Sequence, residues 1–183
     1  MMQSIAKARK SVKGKLLITV GAIIGSVALP QLVHMIGRIS GVGTALGELL
    51  LPMHFFVLFA GLLAGPAVGV MTGACAPLIS YLLSGMPRET VLPFMMIELI
   101  GYGLAAGLLS EMKMHSFFKL LIAQVCGRAL RAAAVLTAVY VFDVQGVAVS
   151  SIWNMVILGV LGILLQWCII PLLLFRVNAW EEE

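Results

Sequence analysis

The chain has 183 residues, of which 61% are hydrophobic and 11% charged, and its mean hydropathy is +1.09. A soluble domain carries about a quarter charged residues, so this composition reads as an integral membrane protein and excludes a large extramembrane domain. The formal net charge of +4 comes from basic residues gathered near the N-terminus rather than interleaved with aromatics, so it is a topology signal and not a nucleic-acid footprint.

At about 20 apolar residues per span, the chain has room for roughly six. Residues 1–15 carry Lys7, Arg9, Lys10, Lys13 and Lys15, a flank of the kind retained in the cytoplasm. Ser26-Val27-Ala28 resembles a signal-peptide cleavage site, but cleavage would leave an odd number of spans and put the basic 111–119 loop on the wrong side. The expected first helix, about 16–36, is therefore uncleaved, with a bend at Pro30. Its Gly21 and Gly25 form a GxxxG, echoed one residue on by Ala22 and Ser26; such a strip serves close packing within the protein or docking onto a partner's helices.

A Gly-rich loop, 37–47, leads to the hairpin around which the chain is organised. The second helix (about 47–64) and the third (about 66–84) are separated only by Gly65-Pro66, Gly being suited to a helix end and Pro to the first turn of the next helix. So short a joint makes the two helices antiparallel neighbours. Gly65, Gly69 and Gly73 then recur every four residues and leave a smooth strip where another helix can approach closely. The fourth helix covers about 91–110, the fifth about 117–142 and the sixth about 151–175, with 143–150 as an external loop.

The expected fold is thus all-α, with six transmembrane helices in a 16–176 domain between a basic N-terminus (1–15) and an acidic tail (177–183). With both termini cytoplasmic, Lys7, Arg9, Lys10, Lys13, Lys15, Lys113, Lys119 and Arg176 lie inside, and Arg38 and Arg88 outside. Cys75, Cys126 and Cys168 fall in apolar runs and read as small buried hydrophobes, with no CxxC or Cys/His spacing for zinc or a disulfide framework.

Ionisable groups inside spans cost about 2.5–3.5 kcal/mol on insertion scales, so each needs a reason. Gln124, Arg128 and Arg131 share one face of the fifth helix, and Met95, Glu98 and Tyr102 one face of the fourth. Gln31 and His34 stand at the outer end of the first helix, His54 in the second, and Trp153 and Asn154 in the outer half of the sixth. One reading is a structural Glu98–Arg ion pair with histidines satisfied by backbone carbonyls. The other is a polar cavity open to the outside, in which two arginines against one glutamate point to an anionic or zwitterionic ligand.

The chain carries no GxxxxGK[ST] phosphate loop, no HExxH, no helical spacing of metal ligands among its histidines and no serine nucleophile elbow. The expectation is a protein that is not an enzyme, has no catalytic residues or metal site, and draws any driving energy from elsewhere.

Ala28-Leu29-Pro30-Gln31 with His34, Leu51-Pro52-Met53-His54, Gly61 to Gly69, Ser84-Gly85-Met86-Pro87 and the segment 96–103, MIELIGYG, carry a family resemblance. Through nearly its whole length the chain resembles the substrate-binding S-components of energy-coupling factor (ECF) transporters, small six-helix proteins of prokaryotic cytoplasmic membranes that bind one vitamin or vitamin-like micronutrient. The resemblance implies as partners a transmembrane scaffold subunit and two cytoplasmic ATPases, which use ATP and Mg; no cofactor belongs to this chain. It implies an external pocket built from helices 4–6 and the loops between helices 1–2 and 3–4. It also implies a scaffold contact on the first helix, at the positions matching an AxxxA-type pattern: Gly21, Ala22, Gly25 and Ser26, with Gly in place of Ala at two of them. Such a subunit binds ligand from outside, then topples against the scaffold and releases it inward; the apolar surface with Gly65, Gly69 and Gly73 is compatible with that rotation. The vitamin is left open: the positive surplus favours a carboxylate or phosphate compound such as pantothenate, a folate or a cobalamin-like molecule, and neutral purines such as queuine remain. Two other classes are a stand-alone secondary carrier, which would need a coupling-ion site and usually an internal repeat, and a membrane enzyme or assembly factor.

Overall fold

The computed structural model describes residues 11–41, 43 and 45–182, the stretch 178–182 by backbone alone. Most of the basic N-terminal segment, including Lys7, Arg9 and Lys10, lies outside the described residues. All regular structure among the described residues is helical: α1 Val12–Ile39, α2 Ala45–Leu50, α3 Pro52–Ala64, α4 Pro66–Ser84, α5 Leu92–Leu109, α6 Ser116–Tyr140, α7 Ser151–Leu158 and α8 Val160–Glu182. Six helical stretches are long and apolar enough to cross a bilayer: Val12–Ile39, Ala45–Ala64, Pro66–Ser84, Leu92–Leu109, Ser116–Tyr140 and Val160–Val177.

Local chemistry sets the ends. Ser11 caps α1, its Oγ accepting from the Gly14 N–H at 3.0 Å. The α3–α4 joint is the expected one: Gly65 takes φ +94° and Pro66 opens α4. His115 caps α6 by accepting from the Phe117 N–H.

Two expected helices are broken. The second gives way at Leu51, which adopts left-handed φ +48°, ψ +48° between α2 and α3. Pro52 causes this, because it lacks an N–H and disfavours helical geometry at the residue before it. The left-handed conformation costs a non-glycine residue about 1–2 kcal/mol. It persists with the Leu51 side chain buried and its carbonyl accepting from Gln166 Nε2 of α8 at 3.3 Å. The sixth helix is interrupted at Gly159, between α7 and α8. A Cβ at Gly159 would stand 2.7 Å from Leu51 Cδ1 and 3.2 Å from Arg128 Nη2, so the two breaks abut because Gly159 has no side chain. α1 is longer than expected and continues as helix through Pro30, and the expected acidic tail is a helical continuation of α8 as far as Glu182.

The core centres on α3 and α5, where Val57, Leu58, Leu99 and Tyr102 are fully buried with Leu120 and Ala123 of α6 and Ile170 of α8. Gly69 packs on the backbone of Gly103, and Gly73 on that of Leu99, so α4 and α5 approach at backbone contact. The expected close approach of another helix to this strip is thus made by α5, and Gly69 and Gly73 are consumed inside the bundle rather than forming part of its apolar surface.

On α1 the strip serves close packing within the protein at three of its four positions, which leaves them no room for the scaffold contact that the resemblance implies. Ala22 packs with Ala60, Ala64 and Val68, Ser26 is fully buried, and Gly25 accommodates the Phe56 ring. Of the expected scaffold-contact residues, Gly21 alone is exposed, with nothing within 4 Å of the position its Cβ would take. Cys126 and Cys168 are also exposed rather than buried, since an apolar run in a membrane chain can face lipid as readily as the core; Cys75 is half-buried.

Candidate functional site: a cavity at the end opposite the termini

Consecutive antiparallel spans place the start of α1 and the end of α8 at one face of the bundle. A cavity of about 590 Å³ lies at the other, within the range typical of small-molecule sites. Pro30 and His34 of α1, Gly47 and Glu48 of α2, and Leu51 to His54 at the break form one side. Ser80, the turn residues Met86 to Arg88, and Val91 and Met95 form the second. Arg131 of α6 and Ser151, Asn154, Met155 and Leu158 of α7 complete the wall. The turn is reached through Gly85, whose φ of +69° ends α4.

The polar end is built on Glu98, which is 1% exposed. Arg131 Nη1 donates to its Oε2 at 2.7 Å, and the Tyr102 hydroxyl donates to its Oε1 at 2.7 Å. Arg128 Nη1 and His54 Nε2 each face Oε1 at 3.8 Å. The His54 and Tyr102 rings pack with centroids 5.5 Å apart. Gly127 leaves room for the Tyr102 ring on α6. Two short, charge-assisted or buried hydrogen bonds occupy the glutamate, so the structural ion pair of the sequence reading exists. It coexists with the polar cavity, because Arg131 also lines the wall. Arg131 Nε, Arg128 Nε, His54 Nδ1 and His34 Nδ1 are buried without a hydrogen-bond partner.

The expected residues divide accordingly. His34, His54, Met95, Arg131 and Asn154 line the cavity, and Glu98, Tyr102 and Arg128 stand behind it. Gln31 is elsewhere: its Nε2 donates to Ser84 Oγ at 2.8 Å, tying α1 to the end of α4. Trp153 is 68% exposed and off the wall, because Ser151, Asn154, Met155 and Leu158 take the inward face of α7. Gln124 belongs to a separate network, donating to Gln166 Oε1 at 2.8 Å and accepting from Trp167 Nε1 at 2.7 Å.

Sequence reasoning missed Gln166, although an amide inside an apolar run is visible by the same rule that singled out Gln124. It also missed Met155, which carries no signal beyond hydrophobicity, and did not single out Met53 and Met86, although both lie in segments that carry the family resemblance. Among the described residues, no group of three or more His, Cys, Asp or Glu could hold a metal ion. No family model matches the chain, and no curated protein or solved structure matches it.

Proposed function

We propose that the chain is a solute-binding membrane subunit of the ECF S-component kind. In this reading it captures a vitamin-like micronutrient from outside a prokaryotic cytoplasmic membrane and passes it to a scaffold subunit driven by two ATPases. The observation that carries the reading is the cavity of about 590 Å³ at the face opposite the start of α1 and the end of α8, mostly apolar along sides that also carry Glu48 and Arg88, with His54 and Arg131 at its inner end. Lys13, Lys15, Lys113, Lys119 and Arg176 fall at the termini's face, against Arg38 and Arg88 at the cavity's, which supports a cytoplasmic placement of the termini and a cavity open to the outside. The segments that carry the family resemblance, around Pro30, Pro52 and Pro87, also line the cavity.

In this account α2 and α7 are the movable part of the wall. Neither has a buried residue, and each joins its neighbour through a break, at Leu51 and Gly159. The scaffold contact moves to the outward face of α1, where Leu17, Gly21, Ile24 and Leu32 are exposed.

The abutting breaks support one other reading, a stand-alone carrier, because interrupted helices lining a cavity are a device of secondary transporters. Native mass spectrometry on protein purified gently from rich medium tests the main proposal. It predicts one small molecule per chain and co-purification with an ATPase-bearing scaffold; a chain that carries neither contradicts it.

A further inference from the structure

We infer that Gln166 couples the backbone break at the edge of the cavity to the start of α6 at the opposite face, so that a change of conformation at Leu51 is felt at Phe117. Leu51, Pro52, Met53 and His54 line the cavity, and a molecule seated there touches the break directly. One face of α8 holds that break. A Cβ at Gly159 would stand 2.7 Å from Leu51 Cδ1, and one at Gly162 would stand 2.6 Å from the Leu50 carbonyl oxygen. One turn on, Gln166 Nε2 donates to the Leu51 carbonyl at 3.3 Å. Gly159, Gly162 and Gln166 form one buried stripe, whereas Leu161, Leu164, Leu165 and Leu172 of the same helix are exposed.

From Gln166 the contacts continue without a gap. Gln124 Nε2 of α6 donates to Gln166 Oε1 at 2.8 Å, and Trp167 Nε1 donates to Gln124 Oε1 at 2.7 Å. The Trp167 ring meets Phe117 edge to face, centroids 4.9 Å apart, and the Phe117 N–H donates to His115 Nδ1 where α6 begins. An indole N–H only donates and a backbone carbonyl only accepts, so the two ends of the run fix the sense of both amides between them. Neither amide turns over alone without setting like groups against each other. Lipid tails are as apolar as leucine, so close packing at glycines and these hydrogen bonds, rather than apolar burial, set the place of α8. Loss of the Leu51 acceptor leaves a buried Gln166 donor unmatched, and the defect passes along the run.

Leu51 supplies the two-state element that such coupling needs. Its φ of +48° runs against the preference of a non-glycine residue, and Pro52 is what disfavours right-handed geometry there. A right-handed Leu51 would join α2 to α3 and re-aim its carbonyl. The inference stands on the break and its contacts, whatever molecule the cavity takes. In the binding-subunit reading, it makes the state of the cavity legible at the face where an ATP-driven partner would act.

Hydrogen exchange read by mass spectrometry on the full chain in detergent tests this without a ligand. Pro52→Ala and Pro52→Ser each restore an N–H and open right-handed geometry to Leu51. The expected result is altered exchange at 49–55 together with exchange about three- to twentyfold faster at 116–124, the range that interhelical polar contacts in a membrane supply. Adding Gln166→Leu or Gln124→Leu should abolish the effect of the Pro52 substitutions at 116–124. Unchanged exchange at 116–124 overturns the coupling, as does an effect that survives both cuts. So does an acceleration that α4 and α5 share to the same degree, which is general loosening. The two cuts lie on different helices, so failure of one variant to fold leaves the other to decide.

Discussion

Arg131 Nη1 lies 2.7 Å from Glu98 Oε2, joining α6 to α5 at the inner end of the cavity, and both side chains are at most 6% exposed. With the Tyr102 hydroxyl on the other oxygen, protein groups hold Glu98 on both sides. Removing one partner from a buried pair leaves an uncompensated charge and costs about 3–5 kcal/mol. Glu98→Ala is therefore expected to lower the thermal unfolding midpoint sharply, followed by tryptophan fluorescence in detergent. Arg128 is 3.8 Å from the carboxylate and more exposed, so Arg128→Ala should destabilise much less. Equal losses would refute this division of roles.

Gln166 connects the break at Leu51 to α6, donating to the Leu51 carbonyl and accepting from Gln124. A double-mutant cycle on Gln124→Leu and Gln166→Leu should give a coupling of about 0.6 kcal/mol, up to about 1.7 if the network behaves as a unit. Strict additivity would mean that the two amides do not support each other.

Gly103 meets the backbone of Gly69, while Gly21 has open space around its Cβ position. Gly103→Ala should force α4 and α5 apart and reduce the yield of monodisperse protein. Gly21→Ala should be neutral or stabilise the helix by up to about 1 kcal/mol. A Gly103→Ala protein that is as stable as the parent would show that the interface relaxes at little cost.

The proposed orientation places the turn after α4 outside and the α5–α6 loop inside. In a chain whose three cysteines are replaced by alanine, Thr90→Cys should react with an impermeant maleimide on intact cells, and Lys113→Cys only after permeabilisation. The reverse pattern would invert the topology and place the cavity in the cytoplasm.

Much of this fold is legible in the sequence, for identifiable reasons. Gly65-Pro66 marks its turn because Gly tolerates positive φ and Pro fits a first turn, and Glu98 and Arg131 stand out because charge inside a span is expensive. The break at Leu51 was within reach, since the residue before Pro52 is disfavoured in helical geometry, but the apolar run through it suggested continuity. Gly159 carries no comparable marker; it is needed because Leu51 packs against it, a contact that no local pattern reveals. The sequence leaves the faces of α1 open because core and lipid are both apolar. Periodicity therefore cannot separate Gly25 and Ser26, which face inward, from Gly21, which faces outward. Gln31 and Trp153 stand beside residues that line the cavity but on the wrong side of their helices, and position along the helix is all that their spacing from helix ends conveys.

The most direct test of the account is to reconstitute the chain alone in liposomes and follow uptake of the labelled ligand identified by mass spectrometry. A binding subunit predicts saturation at one molecule per chain, no accumulation in the lumen, and no response to a proton or sodium gradient. Gradient-driven accumulation beyond that stoichiometry by the chain alone would contradict it and establish a carrier in its place.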